Sequence, residues 1–282
     1  MSDEITRTKL TRDAILLTGR AALVTGGGAG IGRGIAVGLA EFGADVAVLD
    51  VDREAAERVA ELVAAKGRRS LAIVANVTDA EAARAGVAQT AEAFGRLDIL
   101  VNNAGGVRPT RLLDLTDRQI ERHLDLNFRS VVTQTQAAAK AMIEGGRGGA
   151  VINIASIEGA RAAPTYAVYA AGKAAMLNFT RTAAVELAEH GVRVNAIAPD
   201  IVPTEHLARF APGMLSPEGR AAQARYIPLG RTGNFDDCAG AAVFLASDMA
   251  SYITGVTLNV DGGTWASSGW TRTDDGGWRV FS

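Results

Sequence analysis

Short apolar runs alternate with amphipathic segments along most of the chain, beginning at residue 21. Seven runs have the length and nearly continuous apolar character of strands that are buried on both faces. The segments between them mostly show helical spacing, and Asp79, Thr116 and Asp236 stand where an N-cap is needed. The predicted strands are 21–24, 45–50, 70–75, 98–101, 150–155, 192–197 and 256–260, and the predicted helices are 31–42, 53–66, 79–94, 116–144, 166–189 and 236–247. This repeated order predicts an α/β fold with a parallel sheet covered by helices on both faces.

One long break interrupts the alternation between residues 199 and 235, and it holds five of the seven prolines. The break follows the end of a predicted strand, where doubly wound sheets bind their ligands. We therefore expect 199–235 to form a substrate lid. The chain is expected to have three parts: an N-terminal leader over 1–18, a single domain over 19–263, and a tryptophan-rich extension over 264–282 that contains all three tryptophans.

Composition narrows the possible partners. Hydrophobic residues make up 48% of the chain and the net charge is -2, with both signs scattered. Such a chain lacks the basic surface of a nucleic-acid-binding protein or of a membrane-surface helix, so we expect a small-molecule substrate. The single cysteine, Cys238, excludes an internal disulfide and a multi-cysteine metal site, and the three histidines are too scattered for metal ligands. No metal is expected.

The N-terminal segment indicates a location. Residues 14–17 form too short an apolar run for a signal peptide, and no run of eighteen apolar residues occurs in the chain. Together with the single cysteine, these features predict a cytoplasmic protein with a loose polar leader.

A glycine-rich turn follows the first predicted strand and leads into the first predicted helix. Residues 25–32 read Thr-Gly-Gly-Gly-Ala-Gly-Ile-Gly. Glycines can adopt positive φ and let the backbone approach a ligand closely, while the free amides and the positive dipole end of the helix favour an anion. This turn is expected to hold the pyrophosphate of a nucleotide.

An acidic residue after the second strand indicates which nucleotide binds. Asp50 ends the run Val-Ala-Val-Leu-Asp, eighteen residues after Gly32. A carboxylate at this place can accept both hydroxyls of the adenosine ribose and repel a 2′-phosphate. NAD is therefore expected to be preferred. NADP stays possible, because Arg33 and Arg53 are nearby cations that could soften the repulsion.

Tyr169 and Lys173 lie four residues apart in a predicted helix, so both side chains occupy one helix face. A lysine ammonium about 5 Å from the phenol would move a tyrosine pKa of about 10 toward about 7 to 8, which suits an acid/base near neutral pH. Ser156 ends a predicted strand thirteen residues before the tyrosine. Strand ends commonly deliver catalytic groups, so these three residues are candidate catalytic residues.

Taken together, the motifs resemble the short-chain dehydrogenase/reductase family between about Gly19 and Gly263. The matching motifs are Thr25-Gly26-x-x-x-Gly30-x-Gly32, Asn102-Asn103-Ala104-Gly105, Asn127, Ser156, Tyr169-x-x-x-Lys173, Pro199 to Thr204 and Asp261-Gly262-Gly263. The resemblance implies a doubly wound Rossmann fold with seven strands in the order 3-2-1-4-5-6-7. It also implies a homotetramer and an NAD(P)-dependent enzyme that interconverts secondary alcohols and ketones.

The resemblance assigns roles to individual residues. Tyr169 would exchange a proton with the substrate oxygen, Lys173 would lower the tyrosine pKa and hold the nicotinamide ribose, and Ser156 would hydrogen-bond the substrate oxygen. Asn127 would fix a water that links Lys173 to solvent. The expected cofactor contacts are Gly26, Gly28, Gly30, Ile31, Gly32, Asp50, Val51, Asn76, Val77, Asn102, Ala104, Gly105, Tyr169, Lys173, Pro199, Val202 and Thr204.

One position departs from the family, because Asp200 stands where a glycine usually follows Pro199. Its side chain is expected either to point outward or to touch a polar group of the substrate. His206 is a further candidate for lining the pocket. Four arginines fall on loops expected near the mouth of the cleft and could suit an anionic substrate: Arg108, Arg111, Arg161 and Arg209.

Several functions remain open at this level. The long lid favours an alicyclic or steroid-like alcohol, a 3-oxoacyl thioester reductase is the alternative enzyme, and a non-catalytic dinucleotide sensor is a third reading. The tail is expected to dock through its tryptophans across the lid or across a neighbouring subunit's cleft. Its glycines predict a path without helix or strand, and Arg272 and Arg279 are expected to contact carboxylates.

Overall fold

The computed structural model describes residues 11–205, 212–273 and 275–280. Seven strands form one parallel sheet: β1 Ala21–Thr25, β2 Asp45–Asp50, β3 Ser70–Val74, β4 Ile99–Asn102, β5 Gly149–Ile154, β6 Val192–Pro199 and β7 Thr257–Val260. The strand order is β3-β2-β1-β4-β5-β6-β7. The predicted fold class and the strand order implied by the resemblance are confirmed.

Helices cover both faces of the sheet. The longer helices are α1 Gly30–Glu41, α2 Arg53–Ala64, α3 Ala80–Phe94, α4 Asp117–Leu124, α5 Ser130–Glu144, α6 Ala167–Leu187, α7 Pro217–Tyr226 and α8 Phe235–Ala246. One core cluster holds α1, α2 and α8 against the sheet and contains Val24, while another holds α3, α5 and α6 and contains Leu23. Successive side chains of a strand face opposite sides, so covering both faces demands the continuous apolar runs seen in the sequence.

Two predicted segments differ from the structure. The segment 116–144 is divided into α4 and α5 by a five-residue π-helix, Asp125–Arg129, which contains Asn127. Periodicity does not reveal this wider turn because it leaves the helix continuous. The lid contains α7, where the prolines had suggested a break. Ser216 caps this helix through Gly219 and Pro217 occupies its first turn, a place where proline is tolerated.

Part of the segment predicted as the leader packs against the domain. Leu17 is fully buried in the core, and its amide donates to the carbonyl of Phe42 at 2.7 Å. Arg12–Ile15 forms a short 3-10 helix before it. The apolar run 14–17 is too short to show a period, so this packing could not be predicted from the pattern. Residues 1–10 of the leader lie outside the described residues.

The tail folds locally, so the expectation of a path without helix or strand is wrong. A short helix, α9 Thr264–Ser267, is followed by an antiparallel pair, β8 Thr271–Arg272 and β9 Trp278–Arg279. Arg272 donates to the carbonyl of Pro228 at 2.8 Å and stacks over the ring of Trp278 at 4.9 Å, so it contacts a carbonyl and not a carboxylate. The hairpin thereby attaches to the chain just after α7.

Across the described ranges, no helix has both the length and the apolar character needed to cross a bilayer.

Candidate active site

A cleft of about 580 Å³ opens at the carboxyl ends of the central strands, the edge where doubly wound sheets bind ligands. It brings together most of the residues predicted from the sequence: Gly26, Gly30, Ile31, Asp50, Val51, Asn76, Val77, Ala104, Gly105, Ser156, Tyr169, Lys173, Pro199, Val202 and Thr204. Gly28, Gly32, Asn102 and Asn127 are not among the residues that line it, and His206 and Arg209 lie outside the described residues. The catalytic and the cofactor-binding candidates therefore share one cavity.

The glycine turn forms a cradle that side chains would fill. Gly26 and Gly30 have φ of 59° and 54°, a region that favours glycine. A Cβ on Gly32 would overlap the carbonyl oxygen of Gly26, so Gly32 lets α1 pack against the turn without lining the cleft. Asn103 fixes the turn by donating to the carbonyls of Thr25 and Gly26 at 3.0 and 2.9 Å. The start of α1 is thus held open for an anion.

Asp50 lies in this cleft beside the glycine turn, where the adenosine ribose is expected. Its Oδ2 accepts the amide of Gly28 at 2.9 Å, and its Oδ1 accepts the amide of Asp52 at 3.1 Å. A Cβ on Gly28 would lie 2.9 Å from Oδ2 of Asp50, so only glycine leaves room for this contact. The carboxylate is therefore fixed in place with further lone pairs left to accept ribose hydroxyls.

Arg33, one of the cations that could favour NADP, is engaged elsewhere. It pairs with Glu205 at 3.0 Å and lies 5.1 Å from the centre of the Phe235 ring. Arg53 makes only an exposed contact with Glu57, at 3.5 Å. Asp50 is thus held in the cleft by backbone amides while Arg33 is held by Glu205 and Phe235.

Asn102 was predicted to contact the cofactor, and the structure places it behind the cleft. Its side chain is buried and donates to Thr135 at 3.0 Å and to Asn153 at 2.8 Å, so it joins β4 to α5 and β5. The neighbouring Asn103 lines the cleft in its place. Residues alternate sides at the end of a strand, and the motif alone did not show which of the two asparagines faces the ligand.

Ser156 and Tyr169 meet at the substrate side of the cleft. Ser156 follows β5, and its hydroxyl accepts the amide of Glu158 at 3.1 Å. Tyr169 lies in the first turn of α6 and is partly buried, with a hydrogen bond from Ser156 that favours the phenolate. The two hydroxyls are adjacent, as a shared substrate oxygen requires.

The predicted pKa of Tyr169 is wrong, because it left burial out of account. Burial raises the pKa of Tyr169 to about 12, against the hydrogen bond from Ser156. Burial also lowers the pKa of Lys173 to about 7. The spacing argument treated both groups as solvated and the lysine as fully charged. In the structure, desolvation disfavours both charged forms and so weakens the attraction on which the argument relied.

Lys173 and Asn127 flank Gly105 in the wall of the cleft. Lys173 donates to the carbonyl of Ile154 at 2.7 Å, and its Nζ lies 5.7 Å from the centre of the Tyr169 ring. A Cβ on Gly105 would lie 3.1 Å from Oδ1 of Asn127 and 3.3 Å from Nζ of Lys173. Glycine at this position therefore lets both polar groups approach the cleft.

Asn127 holds the loop after β4 from within the π-helix. Its side chain is fully buried, accepts the amide of Gly106 at 3.1 Å, and donates to the carbonyls of Gly106 and His123, each at 3.0 Å. The widened turn carries this side chain under the loop, and such turns recur at functional sites. Asn127 thus supports the wall that carries Gly105.

A polar cluster joins the catalytic loop to the lid, and sequence reasoning found only part of it. Arg161 donates to Tyr226 at 2.8 Å and to Glu158 at 2.8 Å, and it lies 3.4 Å from Asp200. Burial disfavours the positive charge of Arg161, but the carboxylates of Glu158 and Asp200 raise its pKa overall. Glu158 and Tyr226 belong to no motif, so only their positions in the fold identify them.

The arginines predicted near the mouth of the cleft lie in different surroundings. Arg161 is drawn into this cluster, whereas Arg108 and Arg111 are exposed. Asp200, the departure from the family, points inward and lines the cleft. Among the described non-glycine residues only Thr165 and Ser268 have positive φ, so the backbone at Asp200 accommodates a side chain without strain.

Comparisons with known proteins agree with this geometry. The family model described as Enoyl-(Acyl carrier protein) reductase matches residues 26–264. The chain is 40% identical over 257 residues to a sorbitol dehydrogenase of Cereibacter sphaeroides, covering 89% of this chain and 99% of that one. It is 42% identical over 245 residues to a 3-oxoacyl-acyl-carrier-protein reductase of Staphylococcus aureus, covering 86% and 97%.

Solved structures show the same fold with either cofactor. A carveol dehydrogenase from Mycobacterium avium in complex with NAD has a TM-score of 0.82 and 32% identity, covering 89% of this chain and 99% of that one. A gluconate 5-dehydrogenase from Burkholderia cenocepacia in complex with NADP and tartrate has a TM-score of 0.84 and 35% identity, covering 90% and 98%. This chain belongs to the short-chain dehydrogenase/reductase family and is an NAD(P)-dependent oxidoreductase that interconverts an alcohol and a ketone.

Proposed function

We propose that the protein transfers hydride between a secondary alcohol and NAD, with Tyr169 as the acid/base. The observation that carries this proposal is the convergence of Ser156, Tyr169 and Lys173 on the cleft that also contains the glycine turn and Asp50. A dinucleotide held by the turn would extend along this cleft toward the tyrosine. The cofactor, when bound, supplies a nicotinamide ring that exchanges a hydride with the substrate carbon.

The chain's own residues handle the substrate oxygen and its proton. During oxidation the C–H electron pair leaves with the hydride, and the hydroxyl proton passes to the phenolate form of Tyr169, which must first give up its own proton. Ser156 donates a hydrogen bond to the same oxygen while charge develops on it. In reduction the neutral phenol of Tyr169 gives its proton to the substrate oxygen, and its high pKa keeps that proton available at neutral pH.

Lys173 and Asn127 support this chemistry from the cleft wall. When Lys173 is protonated, its charge favours the phenolate of Tyr169 and its ammonium can donate to the nicotinamide ribose. The hydrogen bonds of Asn127 fix the Gly105–Gly106 wall opposite the lysine. A dinucleotide sensor without activity would not require Ser156, Tyr169 and Lys173 in one cleft with Asn127 behind its wall.

Asp50 supports the preference for NAD over NADP. Its carboxylate is fixed by two backbone amides, and Arg33 is committed to Glu205 and Phe235. A 2′-phosphate would meet a negative charge there with no free, fixed cation among the described residues beside it.

The experiment that tests the function is an NADH-fluorescence screen of secondary alcohols and ketones with both cofactors, repeated with Asp50→Ala. We expect turnover of an alcohol and a kcat/KM ratio that favours NAD. The substitution removes a ribose acceptor and a phosphate repellent together, so it should shift the ratio toward NADP by about 10-fold or more. An unchanged cofactor ratio would refute the role of Asp50, and the absence of any turnover would refute the function.

A further inference from the structure

Asp200 brings an incompletely satisfied carboxylate to the substrate side of the cleft. It follows β6 and lines the same cavity as Ser156 and Tyr169. Its side chain is only 8% exposed; Oδ1 lies 3.4 Å from Arg161, while Oδ2 is buried and has no hydrogen-bond partner among the described residues. An unpaired buried oxygen is costly, so a hydroxyl group that donates to it would bind favourably.

Thr264 approaches Asp200 from the start of α9, and it lowers the pKa of the carboxyl against the effect of burial. The hydroxyl of Thr264 donates to the carbonyl of Asp261 at 3.1 Å, so it comes near Asp200 without making a hydrogen bond of good geometry to the buried Oδ2. A substrate hydroxyl that reaches Oδ2 would supply the well-placed donor that this oxygen lacks among the described residues.

The cluster around Asp200 is negative overall. The guanidinium of Arg161 is shared between the carboxylates of Glu158 and Asp200 and also binds Tyr226. The cluster holds two carboxylates and one guanidinium, and the nearby Asp261 adds a further negative charge. Burial is the largest cause that raises the pKa of Asp200, and the charges of Glu158 and Asp261 raise it further. Arg161 is therefore not free to bind a substrate anion, and the surrounding charge repels one.

The space beyond the cluster suits a hydroxylated chain. A second cavity of about 880 Å³ is lined by Glu158, Arg161, Tyr166, Tyr226 and Thr264 together with Trp265. These side chains offer acceptors, donors and aromatic faces on the far side of the Glu158–Arg161 pair from Asp200. A rigid apolar molecule would leave them unpaired, at a cost that a polyol avoids.

We propose that the substrate is a neutral polyol and that Asp200 accepts a hydrogen bond from one of its hydroxyls beyond the reacting carbon. This inference rests on the proposed function of the cleft and names its substrate class. It distinguishes polyols from sugar acids and acyl thioesters, which include anionic groups. It also distinguishes them from apolar steroid-like alcohols and from alcohols with a single hydroxyl. Asp200 is thus a specificity-determining residue.

The test compares a hexitol, an aldonate such as gluconate, and a single-hydroxyl secondary alcohol such as cyclohexanol, each with NAD. For wild type we expect kcat/KM to be highest for the hexitol. Asp200→Ala should lower kcat/KM for the hexitol about 10- to 100-fold, the cost of losing a hydrogen bond to a charged group, and change that for cyclohexanol less than about threefold. Melting temperatures of the two proteins check that the variant is folded.

Asp200→Asn separates the hydrogen bond from the charge. The amide keeps the shape and an acceptor oxygen, so hexitol oxidation should fall less than in Asp200→Ala. The amide also leaves Arg161 balanced by Glu158 alone, so the use of gluconate relative to the hexitol should rise. Glu205→Gln is the matched control, because Glu205 also lines the cleft but pairs with Arg33, and its hexitol-to-cyclohexanol ratio should equal that of wild type.

The outcomes distinguish this inference from the function on which it rests. A wild-type preference for gluconate, for a 3-oxoacyl thioester or for cyclohexanol overturns the polyol assignment while hydride transfer stands. Equal losses for the hexitol and cyclohexanol in Asp200→Ala overturn the role of Asp200. Failure of the wild-type protein to oxidise or reduce any member of the panel overturns both.

Discussion

Two ionisable side chains, one buried and one partly buried, define the chemistry of the cleft at the scale of single residues. Tyr169 and Lys173 were recognisable from their spacing, and the structure brings them together with Ser156 as expected. Their protonation was not predictable, because the spacing gives a distance and not the extent of burial. Desolvation moves the pKa of Tyr169 up and that of Lys173 down, so burial favours the uncharged form of each group.

The burial of Lys173 should make the free energy of unfolding depend on pH. Its pKa is about 7 in the folded protein and about 10.5 when unfolded. The unfolded chain therefore binds the proton more tightly, and the stability contributed by Lys173, present above the unfolded pKa, is lost as the pH falls toward about 7. The slope is at most about 1.4 kcal/mol per pH unit.

Urea unfolding of wild type and Lys173→Met at several pH values between about 7 and 9 measures this effect. The methionine does not titrate, so the difference in free energy of unfolding should change with pH in favour of wild type as the pH rises. Other groups titrate equally in both proteins and cancel. A difference that stays constant over this range would show that Lys173 keeps its ordinary pKa when folded.

At the scale of elements, the sequence predicted the seven strands and the helices of the sheet layers because those elements bury regular apolar faces. It missed the π-helix at Asp125–Arg129, because a wider turn changes the local backbone and not the apolar pattern. It also missed the lid helix α7, because the proline in its first turn suggested a break. The polar cluster of Arg161, Glu158, Asp200 and Tyr226 also escaped prediction as a unit, since its members come from three separate segments of the chain. Only folding brings them together.

The tail hairpin connects to the lid rather than standing apart. Arg272 binds the carbonyl of Pro228, just after α7, and Trp265 lines the second cavity. All three tryptophans remain partly exposed, at 43% for Trp265, 47% for Trp270 and 45% for Trp278. The tail is therefore placed to steady the lid side of the substrate space.

Deleting residues 266–282 should raise the substrate KM about 2- to 10-fold while the NAD dissociation constant stays unchanged, because the tail binds the lid and not the glycine turn. Arg272→Gln serves as a milder version that keeps the chain but removes the guanidinium. It should show part of the same rise. A truncated protein that matches full length in KM and melting temperature would mean that the tail has no such role.

At the scale of the whole molecule, the homotetramer implied by the resemblance stays a prediction. Apolar side chains at the surface of the single chain support it: Leu113 is 96% exposed, Val185 79% and Tyr252 fully exposed. Light scattering should give about four times the 29.3 kDa chain mass. A mass near that of one chain would contradict the expected assembly. The cytoplasmic location likewise stays a prediction from the sequence.

The sequence predicts the site best where the chemistry permits few residue types. The glycine turn and the Tyr169–Lys173 pair follow from what a dinucleotide and a proton transfer demand, so they were predictable. Substrate recognition was not, because Arg161 could bind an anion until the structure showed it neutralised by Glu158 and Asp200. The length of the lid suggested an apolar substrate, and the polar walls beside it now favour a polyol.

The most direct test of the account follows the hydride itself. A secondary alcohol that the protein oxidises is deuterated at the carbinol carbon and incubated with NAD, and the reduced cofactor is weighed by mass spectrometry. Wild type should give deuterated NADH, and Tyr169→Phe should bind NAD normally yet transfer deuterium at least about 100-fold more slowly, because the proton acceptor is gone. Unlabelled NADH from wild type, or transfer by Tyr169→Phe within about tenfold of wild type, would contradict hydride transfer with Tyr169 as the acid/base.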